Sequence, residues 1–163
     1  NYGVRVLSKD LLTDHLGLEP GSLNAVTSFD SKEHWHHSPK AAFHRLLAAL
    51  KRGGLFFLGV PNCVNLRKWI TVPLGVGKWS FMDEWYEREM FRGHVREPNI
   101  DDLRYIARDL GLRDVWIFGR NWLGYASRDG WVRALTPLAH RALRPFPTLC
   151  SYIYLLGRTL PGA

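Results

Sequence analysis

The chain has 163 residues, 46% of them hydrophobic, which is one domain's worth with enough apolar side chain for a substantial core. Its formal net charge of +7 is spread along the sequence with no block of like charges, which favours a solvated surface over a nucleic-acid or lipid footprint. Cys63 and Cys150 stand far apart, which argues against a disulfide scaffold and for a reducing, cytoplasmic setting. No apolar run is long enough to span a bilayer, and no internal repeat or low-complexity tract interrupts the chain.

Val4 to Leu7 reads as a short strand, with Ser8 to Leu12 as its exit and Asp10 as an ordinary turn or capping aspartate. Glu19-Pro20-Gly21-Ser22 is a turn signal, and the apolar run Leu23 to Phe29 after it predicts a buried strand. A polar segment, Asp30 to His37, follows. Ser38 offers an N-cap with Pro39 at the first helical position. Phe43, Leu46, Leu47 and Leu50 recur on one helical face, and Gly53-Gly54 is expected to stop that helix. Leu55 to Val60 shows no alternation, which predicts a central parallel strand covered on both faces. Strand, helix and strand make a crossover unit. Ligands of such sheets bind beyond the carboxyl ends of the strands, here Ser28 to His37 and Pro61 onward.

Asn62 to Arg96 is irregular. A short helix is expected near Val64 to Thr71, with Arg67 and Lys68 on its polar side. Pro73, Gly75 and Gly77 lead into an aromatic cluster of Trp79, Phe81, Trp85, Tyr86 and Phe91. Long irregular segments are commonly lids or binding loops, so this one is a candidate acceptor pocket; packing against the core is the plainer use of the same rings. Arg96 can pair with an acidic acceptor group or with Asp83, Glu84, Glu87 or Glu89. Asn99 caps an amphipathic helix with Asp101 and Asp102 in its first turn, an apolar face of Leu103, Ile106, Ala107 and Leu110, and a stop at Gly111. Val115 to Phe118 reads as a strand, Gly119 to Arg128 as a loop or strand extension. Trp131, Leu135 and Leu138 suggest a helix interrupted at Pro137, and Leu149 to Leu156 a last strand. An ordinary packed helix is the expectation for Trp131 to Arg144, while Arg141 and Arg144 beside Trp131 leave peripheral membrane contact open.

The stretch SFDSKEHWHHSPKAAFHRLLAALKRGGLFFLGVPN, with WYEREMFRGHVREPNIDDLRYIARDLGL after it, resembles the second half of a class I S-adenosylmethionine-dependent methyltransferase of the type 11/23 kind. The shared pattern is a strand ending near an aspartate, Glu-His, a helix ending in Lys-Pro-Gly-Gly, an apolar strand ending in Pro-Asn, and Gly-His-Val-Arg before the next helix. Arg52 departs from it for proline, Ser31-Lys32 for apolar residues, and Asn24 for the aspartate that usually opens the strand. The resemblance implies a Rossmann-like α/β sheet with an antiparallel last strand. It also implies an aromatic-rich loop over residues 63–98 and a helical insertion near 128–145. The family's glycine-rich first motif and its ribose carboxylate do not occur before Asp10, so the chain is expected to be the C-terminal portion of a single methyltransferase domain, N-terminally incomplete.

The resemblance further implies S-adenosylmethionine as cofactor of the complete domain, beside Asp10, Leu11, Ser28, Phe29 and Asp30, with Asp10 placed to accept from the adenine amine. His34, Trp79, Trp85, His94 and Arg96 become candidates facing a small-molecule, glycan or lipid-linked acceptor. No catalytic residue is assigned. A general-base role for His34 is open, but many methyl transfers need only alignment. The cluster His34, His36 and His37 lacks a further ligand at matching spacing, so no metal is expected. A non-catalytic relative of the fold, or a basic RNA-binding module, is the alternative; acidic residues among the aromatics of Arg67 to Trp85 count against nucleic acid. A nucleotide-dependent enzyme is disfavoured by the lack of a phosphate-binding glycine loop.

Overall fold

The computed structural model describes residues 3–4, 6–76, 82–120 and 130–160. Strands Leu23–Phe29 (β1), Leu50–Pro61 (β2), Arg113–Arg120 (β3) and Tyr152–Arg158 (β4) form one mixed sheet in the order β1-β2-β4-β3. β1 and β2 are parallel and joined through helix α1, Lys40–Ala49. β4 runs antiparallel between β2 and β3. The α/β class and the antiparallel last strand are therefore both present.

One face of the sheet carries the core. Val26, Phe56, Leu58, Val60, Ile153 and Leu155 point to it from three strands, and Phe43 and Leu46 of α1 pack on them. Helix α4, Ile100–Asp109, adds Leu103 and Ala107 to the same cluster. Phe43 meets Phe56 edge to face at 5.6 Å. Burying one such side chain contributes about 1.5–3 kcal/mol, so this layer dominates the stability.

α4 forms for local reasons too. The Asn99 side chain accepts from Asp102 N–H at 2.9 Å, while the Asp102 carboxylate accepts from Asn99 N–H at 3.0 Å, a complete capping box. Gly111, at φ +63°, ends the turn where a Cβ would be strained. α1 starts one residue later than its sequence predicts: Pro39, at φ −73°, is the cap residue and Lys40 the first helical one, while Ser38 Oγ accepts from Lys40 N–H at 3.3 Å from outside the helix.

The second face is half open among the described residues, not covered as expected. It carries an aromatic ladder, with Phe29 on Phe57 at 4.9 Å, Phe118 stacked on Tyr154 at 5.2 Å, and Trp116 beside Phe118 at 4.8 Å. Gly59 lies at its centre. A Cβ there would come within 2.5 Å of Phe29 Cδ1 and 2.7 Å of Tyr154 Cε1, so the glycine lets two rings cross the strand.

Other expectations need correction. Val4 to Leu7 is no strand at its described positions, and Val4 and Val6 are 77% and 85% exposed. A short segment without a partner strand among the described residues has no ladder to join. Gly53-Gly54 does not end α1, which stops at Ala49. Leu50 is already extended, and the β1–β2 register jumps from Leu23↔Leu50 to Ala25↔Leu55. Gly53 (φ +71°) turns the strand segment left out of that jump, and Thr159 anchors it through bonds to Lys51 and Gly54 carbonyls. Helix α5, Gly130–Leu143, runs through Pro137 uninterrupted. The last strand starts at Tyr152, since Pro147–Leu149 forms a 3₁₀ turn.

Candidate functional site

The carboxyl ends of β1 and β2 lie side by side, with Phe29 paired to Gly59 and Asp30 N–H donating to Gly59 O at 3.2 Å. Asp30 leaves β1 at φ +45°. Aspartate enters that region more readily than most residues but still at a cost, and such strain collects at ligand sites. Ser28 and Phe29 precede it on the edge, and the Phe29 ring is 46% exposed. Asp10 and Leu11 lie in a turn beside α1. Asp10 Oδ1 accepts from Leu12 N–H at 2.8 Å, which first among several bonds holds its carboxyl below the usual range. Leu11 and Leu12 carbonyls accept from the Arg45 guanidinium at 2.6 and 2.8 Å, which ties the turn to α1.

Beyond β1, a 3₁₀ turn, Lys32–His34, carries the Glu-His pair. Glu33 is fully buried, and neither carboxylate oxygen has a hydrogen-bond partner among the described residues. Its carbonyl accepts from Val95 N–H at 2.6 Å and Arg96 N–H at 3.3 Å, clamping the segment after Gly93 against the turn. Lys32 Nζ donates to Arg96 O at 3.2 Å; burial lowers that ammonium's pKa. His34 Nδ1 lies 2.9 Å from Arg92 O and 3.2 Å from Gly93 O, and its ring meets that of His94 at 4.8 Å.

His94 belongs to a second group. Its Nδ1 is 2.7 Å from Glu97 Oε1, a bond that raises the imidazole pKa despite partial burial. Lys68, from α2 (Leu66–Thr71), pairs with the other oxygen of Glu97. Burial pushes the Glu97 carboxyl up, but the bonds from His94 and Lys68 outweigh it and hold the carboxyl below its ordinary range. Lys68 is therefore a buried member of the site and not part of a solvated face, whereas Arg67 is exposed.

Asn62 explains the Pro-Asn at the end of β2. It is fully buried, donates to Thr148 O and Cys150 O at 2.8 Å each, and accepts from Val64 N–H at 3.1 Å. Its role is to pin the turn before β4 to the end of β2. Tyr152 then opens β4 at the same edge; burial first, then the charges of Asp30 and Glu33, raise its phenol pKa. Tyr152, Glu97 and Lys68 were not expected at the site from the sequence, and only the pairing of β4 with β2 brings Tyr152 there.

Of the acceptor-side candidates, His34 and His94 come together. Arg96 bonds Asp102 at 3.3 Å, none of the acids weighed for it. Trp85 lies on α3, Met82–Tyr86, and is 60% exposed. Trp79, with Gly77 and Phe81, falls outside the described residues, as does most of the stretch from Gly119 to Arg128.

No protein-family model matches the sequence. No curated protein matches it either. Solved structures do. A SAM-dependent methyltransferase from Archaeoglobus fulgidus aligns over 96% of this chain and 68% of its own, at TM-score 0.59 and 15% identity. One from Thermotoga maritima aligns over 96% of this chain and 65% of its own, at TM-score 0.59 and 11% identity. Phosphoethanolamine N-methyltransferase 2 from Haemonchus contortus, in complex with S-adenosyl-L-methionine, aligns over 88% of this chain and 34% of its own, at TM-score 0.50 and 13% identity. The chain thus spans about two thirds of the first two structures and a third of the last. With this strand order, this antiparallel insertion and these neighbours, the chain has the fold of SAM-dependent methyltransferases.

Proposed function

We propose that these residues form the C-terminal portion of a domain that moves a methyl group from S-adenosylmethionine to a small-molecule, glycan or lipid-linked acceptor. The observation that carries the reading is the sheet, β1-β2-β4-β3 with β4 reversed, which aligns over nearly the whole chain with two methyltransferases. The residues at its carboxyl edge fit a cofactor in part. Asp30 and Phe29 offer a strained acid and an open ring at the strand end, and Asp10, in the turn beside α1, presents an exposed carboxylate suited to an exocyclic amine. A complete cofactor site would also need a glycine-rich turn and a ribose carboxylate, which the described residues around Asp10 do not supply.

When bound, S-adenosylmethionine supplies a methyl group on a sulfonium, open to in-line displacement by an O, N or C nucleophile. The chain's own part is placement. His34 and His94 stand beyond the strand ends and can hold or receive a proton from an acceptor, and Trp85 offers an exposed ring for its apolar part.

Calorimetric titration of S-adenosylhomocysteine tests this, on the 163-residue chain and on one extended by the upstream reading frame, with circular dichroism as the folding control. Binding by the extended chain alone is expected, and Asp30→Ala in that chain should weaken it about 10- to 100-fold, as loss of a charged hydrogen bond does. If a folded extended chain does not bind, methyl transfer is excluded. Salt-sensitive RNA binding by that chain would establish the basic-module alternative.

A further inference from the structure

Glu33 is the anomaly of the site. A carboxylate with both oxygens buried and no hydrogen-bond partner among the described residues is costly, because nothing replaces the water it lost. The neighbouring residue's ammonium, that of Lys32, gives its hydrogen bond to the Arg96 carbonyl. Glu33, His34 and His94 each offer one ligand atom, and these atoms all lie within 4.8 Å of one another. Two imidazoles and a carboxylate are a donor set for a borderline divalent ion, and they leave a coordination position open.

The surroundings of the rings are those of metal-bound histidines. His34 Nδ1 faces two backbone carbonyls, and His94 Nδ1 faces the Glu97 carboxylate. Such partners fix the tautomer with the lone pair on Nε2 and orient the ring. Lys68 steadies Glu97 in turn. The two N–H groups of Val95 and Arg96, bonded to Glu33 O, hold the His94 segment in register with the turn. His36 and His37, which made the histidine run conspicuous in the sequence, are not in the cluster.

We propose that Glu33, His34 and His94 bind a divalent transition-metal cation of the zinc class, with Glu97 positioning His94. Bonds of about 2.0–2.2 Å would draw the three ligand atoms together by roughly 1 Å from their present spacing. The proposal stands on this geometry and does not depend on methyl transfer; with the ion bound, His34 and His94 hold the metal in place of an acceptor's proton.

The test is titration of the chelator-treated chain with Co2+, followed by its visible absorption, and then displacement by Zn2+. One equivalent is expected to bind, with the intense visible bands of a low-coordinate ion and a rise in Tm. Glu33→Gln and His94→Gln should each weaken binding more than about 100-fold, and Glu97→Gln by about 10- to 100-fold. The double variant His36→Ala/His37→Ala should bind as the parent does. His94 is partly exposed, so His94→Gln keeps the test valid if Glu33→Gln does not fold. Unchanged affinity in His94→Gln, loss of binding in the double variant instead, or no saturable binding by the parent would each overturn the site.

Discussion

Asn62 makes three bonds that no other side chain in its place can make together. Asn62→Ala leaves the Thr148 and Cys150 carbonyls without those donors and opens a small void. The expected loss is about 2–4 kcal/mol, read as a lower denaturant midpoint at unchanged slope. Gly119 is a similar single-residue constraint: a Cβ there would stand 2.7 Å from Cys150 Sγ and 2.8 Å from Pro147 Cα. Since the second of these is backbone, Gly119→Ala should cost about 1–3 kcal/mol by chemical denaturation. Asp30 runs the other way. Asp30→Gly should raise stability by about 1 kcal/mol by removing a left-handed non-glycine residue, while weakening any ligand that the carboxylate holds. The sequence showed the Pro-Asn and the aspartate at the right places. It did not show why they were there, because the partners of Asn62 lie almost ninety residues on and backbone strain leaves no mark in residue order.

α1 and α4 lie on the same sheet face and are clasped at one point, where Asp109 accepts from Lys40 and lies 3.1 Å from His44 Nε2. Lys40 first, then His44, depress the Asp109 carboxyl. A depressed carboxyl stabilises the fold above its unfolded pKa, and that stabilisation is lost as pH falls through the folded value. Asp109→Asn should therefore lower Tm at neutral pH, by less in high salt, and the difference should vanish once the acid is protonated in both states. α4 was fully legible: its cap, its charged first turn, its apolar spacing and its terminal glycine all agree. The beginning of β2 was not, because Lys51 to Gly54 look like a helix end and only the β1 register shows them looping out of a strand. The helix through Pro137 was misread for a related reason. Proline is a cost of about 3 kcal/mol to a helix and not a prohibition, and Thr136, buried and bonded to Val132 O, sits beside it.

At the scale of the molecule, the site joins residues from Lys32 to Tyr152, and that separation limited what the sequence could show. The Glu-His pair was visible, but His94 is sixty residues away from it, and the bonds of Glu33 O, Lys32 Nζ and His34 Nδ1 to the segment around it bring it back. α5 shows the opposite limit. Its apolar residues Trp131, Leu135 and Leu138, 67%, 49% and 69% exposed, face away from the described core, where helical spacing alone had suggested packing. Leu138→Ser should change stability by no more than about 0.5 kcal/mol and reduce self-association in light scattering. The strand order has a consequence for synthesis. β2 and β3 do not touch; only β4 joins them, and of the four strands it leaves the ribosome last. The β1-α1-β2 unit can pair as soon as it emerges, but β3 must wait with an unpaired edge while the α5 segment is translated. Nascent chains stalled before Tyr152 would carry β3 open on both sides, one more open side than the described sheet leaves it, and a chaperone or a neighbouring nascent chain would find purchase there.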